Sequence, residues 1–257
     1  MEPRTVRAGH GWTWIKEGFA LFRRSPAQWL ALVLLLFAGT KLLAVISLLG
    51  IVFVLLMPIF IAGLMEGCRS LERGEPLQLM HLACGFRKNA AQLVTIGGVS
   101  LVGNLAVMML VMSLGGDAMS TMAKAVSQGG PAPAASAEVQ AASTAVARAL
   151  LVGMLVSLPL LMALWYAPLL VYFDDFSALA GMKSSFLACA KNAPALLVYG
   201  GAVLGGMLIA MPFAMALKQY DFALWLLAPV LLPSLYASYK DIYLAGAAPE
   251  VSSTPTS

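Results

Sequence analysis

Three times along the chain a half-polar stretch gives way to a basic-polar hinge and then to a long apolar run. The pattern predicts three hairpins of membrane-crossing helices, each entered through a short interfacial helix. The hinges Phe22-Arg23-Arg24-Ser25-Pro26-Ala27-Gln28, Phe86-Arg87-Lys88-Asn89-Ala90-Ala91-Gln92 and Cys189-Ala190-Lys191-Asn192-Ala193-Pro194-Ala195 align without a gap. Seventeen residues past the start of each copy, Gly39, Gly103 and Gly206 coincide. In the same register Gly97-Gly98 falls on Gly200-Gly201, Lys16 on Lys183 and Phe19 on Phe186. A register that holds this far reads as duplicated units packed around a shared core.

From residue 27 to residue 65 the only charge is Lys41, and 39 residues at about 20 per crossing make two helices joined by a turn near Ser47 to Gly50. Six spans follow, at about 27–46, 50–65, 92–114, 149–173, 193–217 and 222–240, within one transmembrane domain of residues 1–245. Residues 115–147 are expected to form an extracytoplasmic loop, flexible at Gly129-Gly130-Pro131-Ala132-Pro133 and flanked by Ala-rich helical pieces. Residues 246–257, rich in Ser, Thr and Pro, read as a disordered cytoplasmic tail. The first apolar run outlasts the roughly 7–15 residues of a signal-peptide core, so it is expected to stay in the mature protein.

Composition fits this solvent: 60% of residues are hydrophobic, 11% are charged and the mean hydropathy is +0.85. The segments that share a side under the six-span count hold 12 of the 16 lysines and arginines, which places both termini in the cytoplasm. The net charge of +4 is therefore a topology signal, and no nucleic-acid-reading motif accompanies it. Bases beside the hinges also attract anionic lipid heads, at about 1 kcal/mol each.

Within Trp12 to Arg24, the residues Ile15, Phe19 and Phe22 share a helical face while Lys16, Arg23 and Arg24 lie off it. Such a helix is expected to lie flat on the inner leaflet, as a collar that sets the entry angle of the next span or as a lipid or partner surface. Trp12, Trp14 and Trp29 are then interface anchors.

The returning helices share a second pattern. Pro58 precedes Glu66 by eight residues, Pro168 precedes Asp175 by seven and Pro233 precedes Asp241 by eight. Three proline kinks at similar depth predict splayed cytoplasmic ends. A carboxylate at a helix C-terminus opposes the macrodipole, so Glu66, Asp175 and Asp241 are expected to pair with Arg23, Arg24, Arg87, Lys88 and Lys191. The alternative is a cation-binding acidic ring that includes Asp174, but a one-residue offset turns a side chain by about 100° and breaks the ring's symmetry.

Inside the spans, Lys41 stands where the other repeats have Leu105 and Leu208. An intramembrane charge is a functional candidate by default, although Lys41 lies near enough to the outer interface to snorkel. Asn104 is expected to face another helix. Gly39, Gly103, Gly206, Gly201 and Gly205 are helix-packing candidates, the last two in small-xxx-small pairs that serve either the bundle or a homodimer.

No histidine or carboxylate lies in the interior of a span, so the charged relay of a proton-coupled pump is missing. No Walker loop, GxSxG elbow or HExxH appears, and no catalytic residue, cofactor or metal site is expected. Cys68, Cys84 and Cys189 fall on the reducing side and read as free thiols. Met108, Met109, Met112, Met119 and Met122 are soft copper(I) donors in type, and equally the flexible apolar filler that methionine commonly supplies.

Gly11-Trp12-Thr13-Trp14-Ile15-Lys16-Glu17-Gly18-Phe19, Gly63-Leu64-Met65-Glu66-Gly67-Cys68-Arg69, Tyr166-Ala167-Pro168 and Met182-Lys183-Ser184-Ser185-Phe186 resemble a proteobacterial family of uncharacterised inner-membrane proteins. The resemblance implies the membrane and the compartment. The reading is thus an all-α polytopic membrane protein of six transmembrane helices in three pseudo-repeated hairpins with cytoplasmic interfacial helices. Its expected role is that of a non-enzymatic scaffold or lipid-interacting protein, with membrane lipids and a homo-oligomeric or membrane-protein partner. The alternative is an uncoupled carrier or channel for a small solute.

Overall fold

The computed structural model describes residues 2–44, 47–127, 137–219 and 221–245; the loop centre at Gly129 to Pro133 and the tail 246–257 lie outside them. All regular structure among the described residues is helical. The helices are α1 (His10–Arg24), α2 (Pro26–Ala44), α3 (Ser47–Glu72), α4 (His81–Cys84), α5 (Ala90–Ser127), α6 (Ala137–Trp165), α7 (Ala167–Phe173), α8 (Ala178–Lys191), α9 (Ala193–Ala216) and α10 (Phe222–Tyr239). A π-helical turn, Lys240–Leu244, continues α10.

The hinges break the chain for local reasons. Pro26 has no N–H and disfavours a helical residue before it, so Ser25 adopts φ −153° and ψ 61°, and α1 meets α2 at 102°. Asn89 takes the left-handed φ of 55°, which asparagine tolerates, just before α5. Pro194 sits in the first turn of α9, where its missing donor costs nothing.

Five segments are long and apolar enough to cross a bilayer: Leu49–Glu72, Ala90–Ala125, Ala137–Phe173, Ala193–Ala216 and Phe222–Leu244. The bent pair of α1 and α2 supplies a sixth, and the 19 residues of α2 reach about 28 Å, near the ~30 Å of a hydrocarbon core. The protein is an all-α polytopic membrane protein. Helix α5 runs to Ser127 and α6 resumes at Ala137, so both helices extend through much of the segment 115–147 that the sequence reads as a loop.

The prolines act differently from one another. Pro58 and Pro233 lie inside continuous helices, whereas Pro168 opens α7 after a break at Tyr166. Ser185 of α8 fills that break. Its hydroxyl accepts from Tyr166 N–H at 2.9 Å and donates to Met162 C=O at 2.7 Å, bridging the two groups that an unbroken helix would join directly. Ser185 is fully buried, so Ser185→Ala leaves Tyr166 N–H without a partner and is expected to cost about 2 kcal/mol in thermal unfolding in detergent.

Each interfacial segment packs on a returning helix: α1 on α10, α4 on α3, and α8 on α6 and α7. Helix α1 closes the circle from the first residues to the last. Glycines make these contacts tight. A Cβ at Gly18 would lie 2.6 Å from Ser234 N, one at Gly11 2.1 Å from Ala195 O, and one at Gly63 2.2 Å from His81 O.

The face of α1 that meets the bundle is Gly11, Trp14, Gly18 and Leu21, whereas Phe19 is 48% exposed. Of the apolar residues expected to share a face, Phe19 is the exposed one, while Ile15 and Phe22 are half-buried against the core. In lipid an apolar side chain gains nothing by leaving the solvent, and small residues decide contact. Trp14 and Trp29 are core residues and not interface anchors; Trp12 is exposed.

Burial concentrates at the end that holds α1 and the hinges. Trp14, Trp29, Met65, Cys68, Tyr166, Leu169, Leu170, Tyr239 and Ile242 form one core there, while Leu42, Met109, Met112, Leu151 and Phe213 toward the other end are exposed. The splay expected of the cytoplasmic ends is thus absent at the hinge end, which is the packed one.

Candidate functional site

Hydroxyls and acids line the hinge-end core. Tyr166 pairs with Ser238 at 3.2 Å, Tyr199 with Ser234 at 2.8 Å, Tyr236 with Glu72 at 3.2 Å, Tyr239 with Asp174 at 2.7 Å and Tyr243 with Ser184 at 3.2 Å. Arg69, Phe173, Asp174, Tyr236 and Tyr239 border a small cavity of about 140 Å³ where α3, α7 and α10 leave the bundle. Burial pushes the Asp174 carboxyl upward, against the pull of the Tyr239 hydrogen bond.

The three acids at the helix exits have different partners. Asp241 takes the Arg4 guanidinium, His10 Nδ1 at 2.6 Å and Trp14 Nε1 at 2.8 Å, and so clasps the amino-terminal segment onto the last helix. Asp175 pairs with Lys88 at 3.1 Å and accepts from the Asn89 amide at 2.8 Å; Asn89 and then Lys88 hold its carboxyl below the usual carboxylate value. Glu66 meets Arg69 of its own helix at 3.8 Å, and Glu72 is the acid that reaches Lys240.

Of the five bases expected at these acids, Lys88 is the one that meets its carboxylate. Arg24 donates to Leu71 C=O at 2.9 Å, and Arg23, Arg87 and Lys191 are exposed with no acidic partner among the described residues. Arg4, His10 and Glu72 lie outside the hinge motif, so spacing within it could not reveal them. The aligned hinge asparagines were the available signal. Asn89 donates to Val171 C=O, and the buried Asn192 accepts from Val6 N–H and donates to Arg4 C=O.

Lys41 binds Asp221 at 2.7 Å at the opposite end of the bundle, tying the first hairpin to the third. Both side chains are exposed, and exposed pairs contribute little. Lys41→Leu is expected to cost less than about 1 kcal/mol in thermal unfolding.

Asn104 donates to Ser100 C=O of its own helix at 2.7 Å and is exposed, where the sequence led us to expect a bond to another helix. One backward turn of α5 supplies the acceptor. Gly39, Gly103 and Gly206 each face the returning helix of their own hairpin, at Phe53, Leu160 and Leu227. A Cβ at Gly201 or Gly205 would meet nothing within 4 Å, so neither position packs helices within the chain.

Next to Gly201, Gly200 of α9 borders an apolar cleft. Leu158, Leu161, Met162 and Trp165 of α6 form one wall, Ala193, Leu196, Tyr199, Gly200 and Val203 of α9 the other, and Cys189 of α8 its hinge-end limit. The cleft encloses about 390 Å³, within the roughly 300–1,000 Å³ common for ligand sites. Its rim residue Leu197 is 76% exposed, so the cleft opens sideways, toward the bilayer. Sequence periodicity gave no sign of it, because it lies between two helices distant in sequence, which meet at Trp165 and Tyr199 with ring centroids 6.2 Å apart.

No family model matches the chain, and no solved structure matches it. Over 255 residues the chain is 27% identical to a probable inner membrane protein of Burkholderia thailandensis, an alignment that covers 95% of this chain and 93% of that relative. With its apolar helices, this is a polytopic membrane protein similar to uncharacterised proteobacterial inner-membrane proteins.

Proposed function

We propose that the protein is a non-enzymatic membrane scaffold that binds lipid in the cleft between α6 and α9. The cleft is the observation that supports this reading: it is apolar, ligand-sized and entered from the side of the bundle. The packed hinge end holds the two walls apart, since α6 is pinned through Ser185 and α9 through Gly11 of α1. In this reading the hinge end faces the cytoplasm, as its share of 12 of the 16 bases favours.

Native mass spectra from nanodiscs test the proposal. A wild-type protomer should retain one lipid through activation that strips the annulus, and Gly200→Leu, which fills the cleft from a position with free space around it, should lose it. Bare protomers in both cases would overturn the reading. A retained apolar solute in place of lipid would favour the carrier.

A further inference from the structure

We infer that the cleft takes one acyl chain of an anionic glycerophospholipid from the hinge-side leaflet, with the phosphate held at the rim by Arg7 and Lys191. The inference rests on the lipid-binding reading and adds the leaflet, the headgroup charge and the residues that select it.

The cleft lies at a seam. In the second hairpin, Gly97 of α5 presses on the preceding returning helix α3, where a Cβ would come within 2.2 Å of Leu55 O. The hinge register aligns Gly97 with Gly200, whose counterpart contact would be with α6. A Cβ at Gly200 meets nothing within 4 Å, and the cleft occupies that place.

The cleft, at about 390 Å³, is smaller than a transmembrane helix and suits a slender occupant. Its length suits a chain. From Ala193 to Val203 the α9 wall rises about 15 Å, which is half of a ~30 Å hydrocarbon core and so the depth of one leaflet.

Charge sets the headgroup. Val6 N–H bonds to Asn192 Oδ1 at 2.8 Å, so the chain neighbours Arg7 and Lys191 flank a bond made by the residue just before Ala193, where the α9 wall of the cleft begins. Both bases are exposed and have no acidic partner among the described residues. Arg4, by contrast, is spent on Asp241. Two uncommitted cations at the hydrocarbon boundary favour a phosphodiester with net negative charge, by about fivefold each.

Trp165 in the cleft wall supplies the readout. Wild type and Trp165→Phe are compared in phosphatidylcholine vesicles that contain rising fractions of dibrominated phosphatidylglycerol or dibrominated phosphatidylcholine; the difference isolates quenching of Trp165 by a bromine in the cleft. Quenching is expected to half-saturate at a fraction at least fivefold lower for phosphatidylglycerol. The double variant Arg7→Gln/Lys191→Gln should quench alike with both lipids. Equal half-saturation in the wild type, or a preference that survives the double variant, would overturn the inference while leaving lipid binding in place. An absence of Trp165-dependent quenching by either lipid would overturn the lipid-binding reading itself.

Discussion

Gly97→Leu is expected to destabilise the fold by about 3 kcal/mol, whereas Gly200→Leu should change stability by less than about 0.5 kcal/mol, although the two glycines occupy aligned positions. At Gly97 the added Cβ would stand 2.2 Å from the Leu55 carbonyl, and backbone cannot step aside as a side-chain tip can. Helices α3 and α5 would have to separate along their shared face, releasing Ile59, Leu93 and Ile96 from the smaller core cluster. At Gly200 the side chain enters open space. Thermal unfolding of both variants in one detergent reads the contrast. Equal losses would mean that the seam between α6 and α9 is closed in the folded protein.

Asp241→Leu should cost about 3 kcal/mol and free the amino-terminal segment. The Asp241 side chain is 16% exposed and serves three donors, of which Trp14 is 1% exposed and its indole N–H has no other hydrogen-bond acceptor among the described residues. Removing the acceptor leaves that N–H buried and unpaired, and takes from Arg4 and His10 the carboxylate they share at the end of α10. Asp241→Asn, which keeps one acceptor oxygen, is expected to lose about half as much. Trypsin should then cut at Arg7 in Asp241→Leu under conditions that spare the wild type. Protection at Arg7 in the variant would show that glycine packing of α1 on α9 and α10 holds the segment without the clasp.

The spans were legible because apolar length is a direct demand of the bilayer, and the aligned hinges located the breaks before α2, α5 and α9. Side-chain pairing was less legible. The hinge pattern pointed Asp241 toward neighbouring bases, yet its partners Arg4, His10 and Trp14 lie more than 220 residues away in sequence, in a segment with no repeat. Asn104 satisfied itself one turn back, an option that spacing alone left open.

Amphipathicity alone did not show which side of α1 meets the bundle. Amphipathic periodicity reports which side avoids water, and both sides of an interfacial helix can meet apolar surroundings. The contact side is the one with glycines, Gly11 and Gly18, flanked by the large buried residues Trp14 and Leu21. Kink positions likewise said where helices bend without saying which end packs; the serines and tyrosines that close the hinge end had to be seen in three dimensions to be paired.

The most direct test of lipid binding at the seam is a cryo-EM map of the wild-type protein in nanodiscs that contain anionic phospholipid. The account predicts an elongated density between α6 and α9, running from the level of Ala193 to that of Val203 and touching Trp165 and Gly200. A map in which Leu161 and Met162 pack directly against Gly200, leaving no space between the helices, would contradict it.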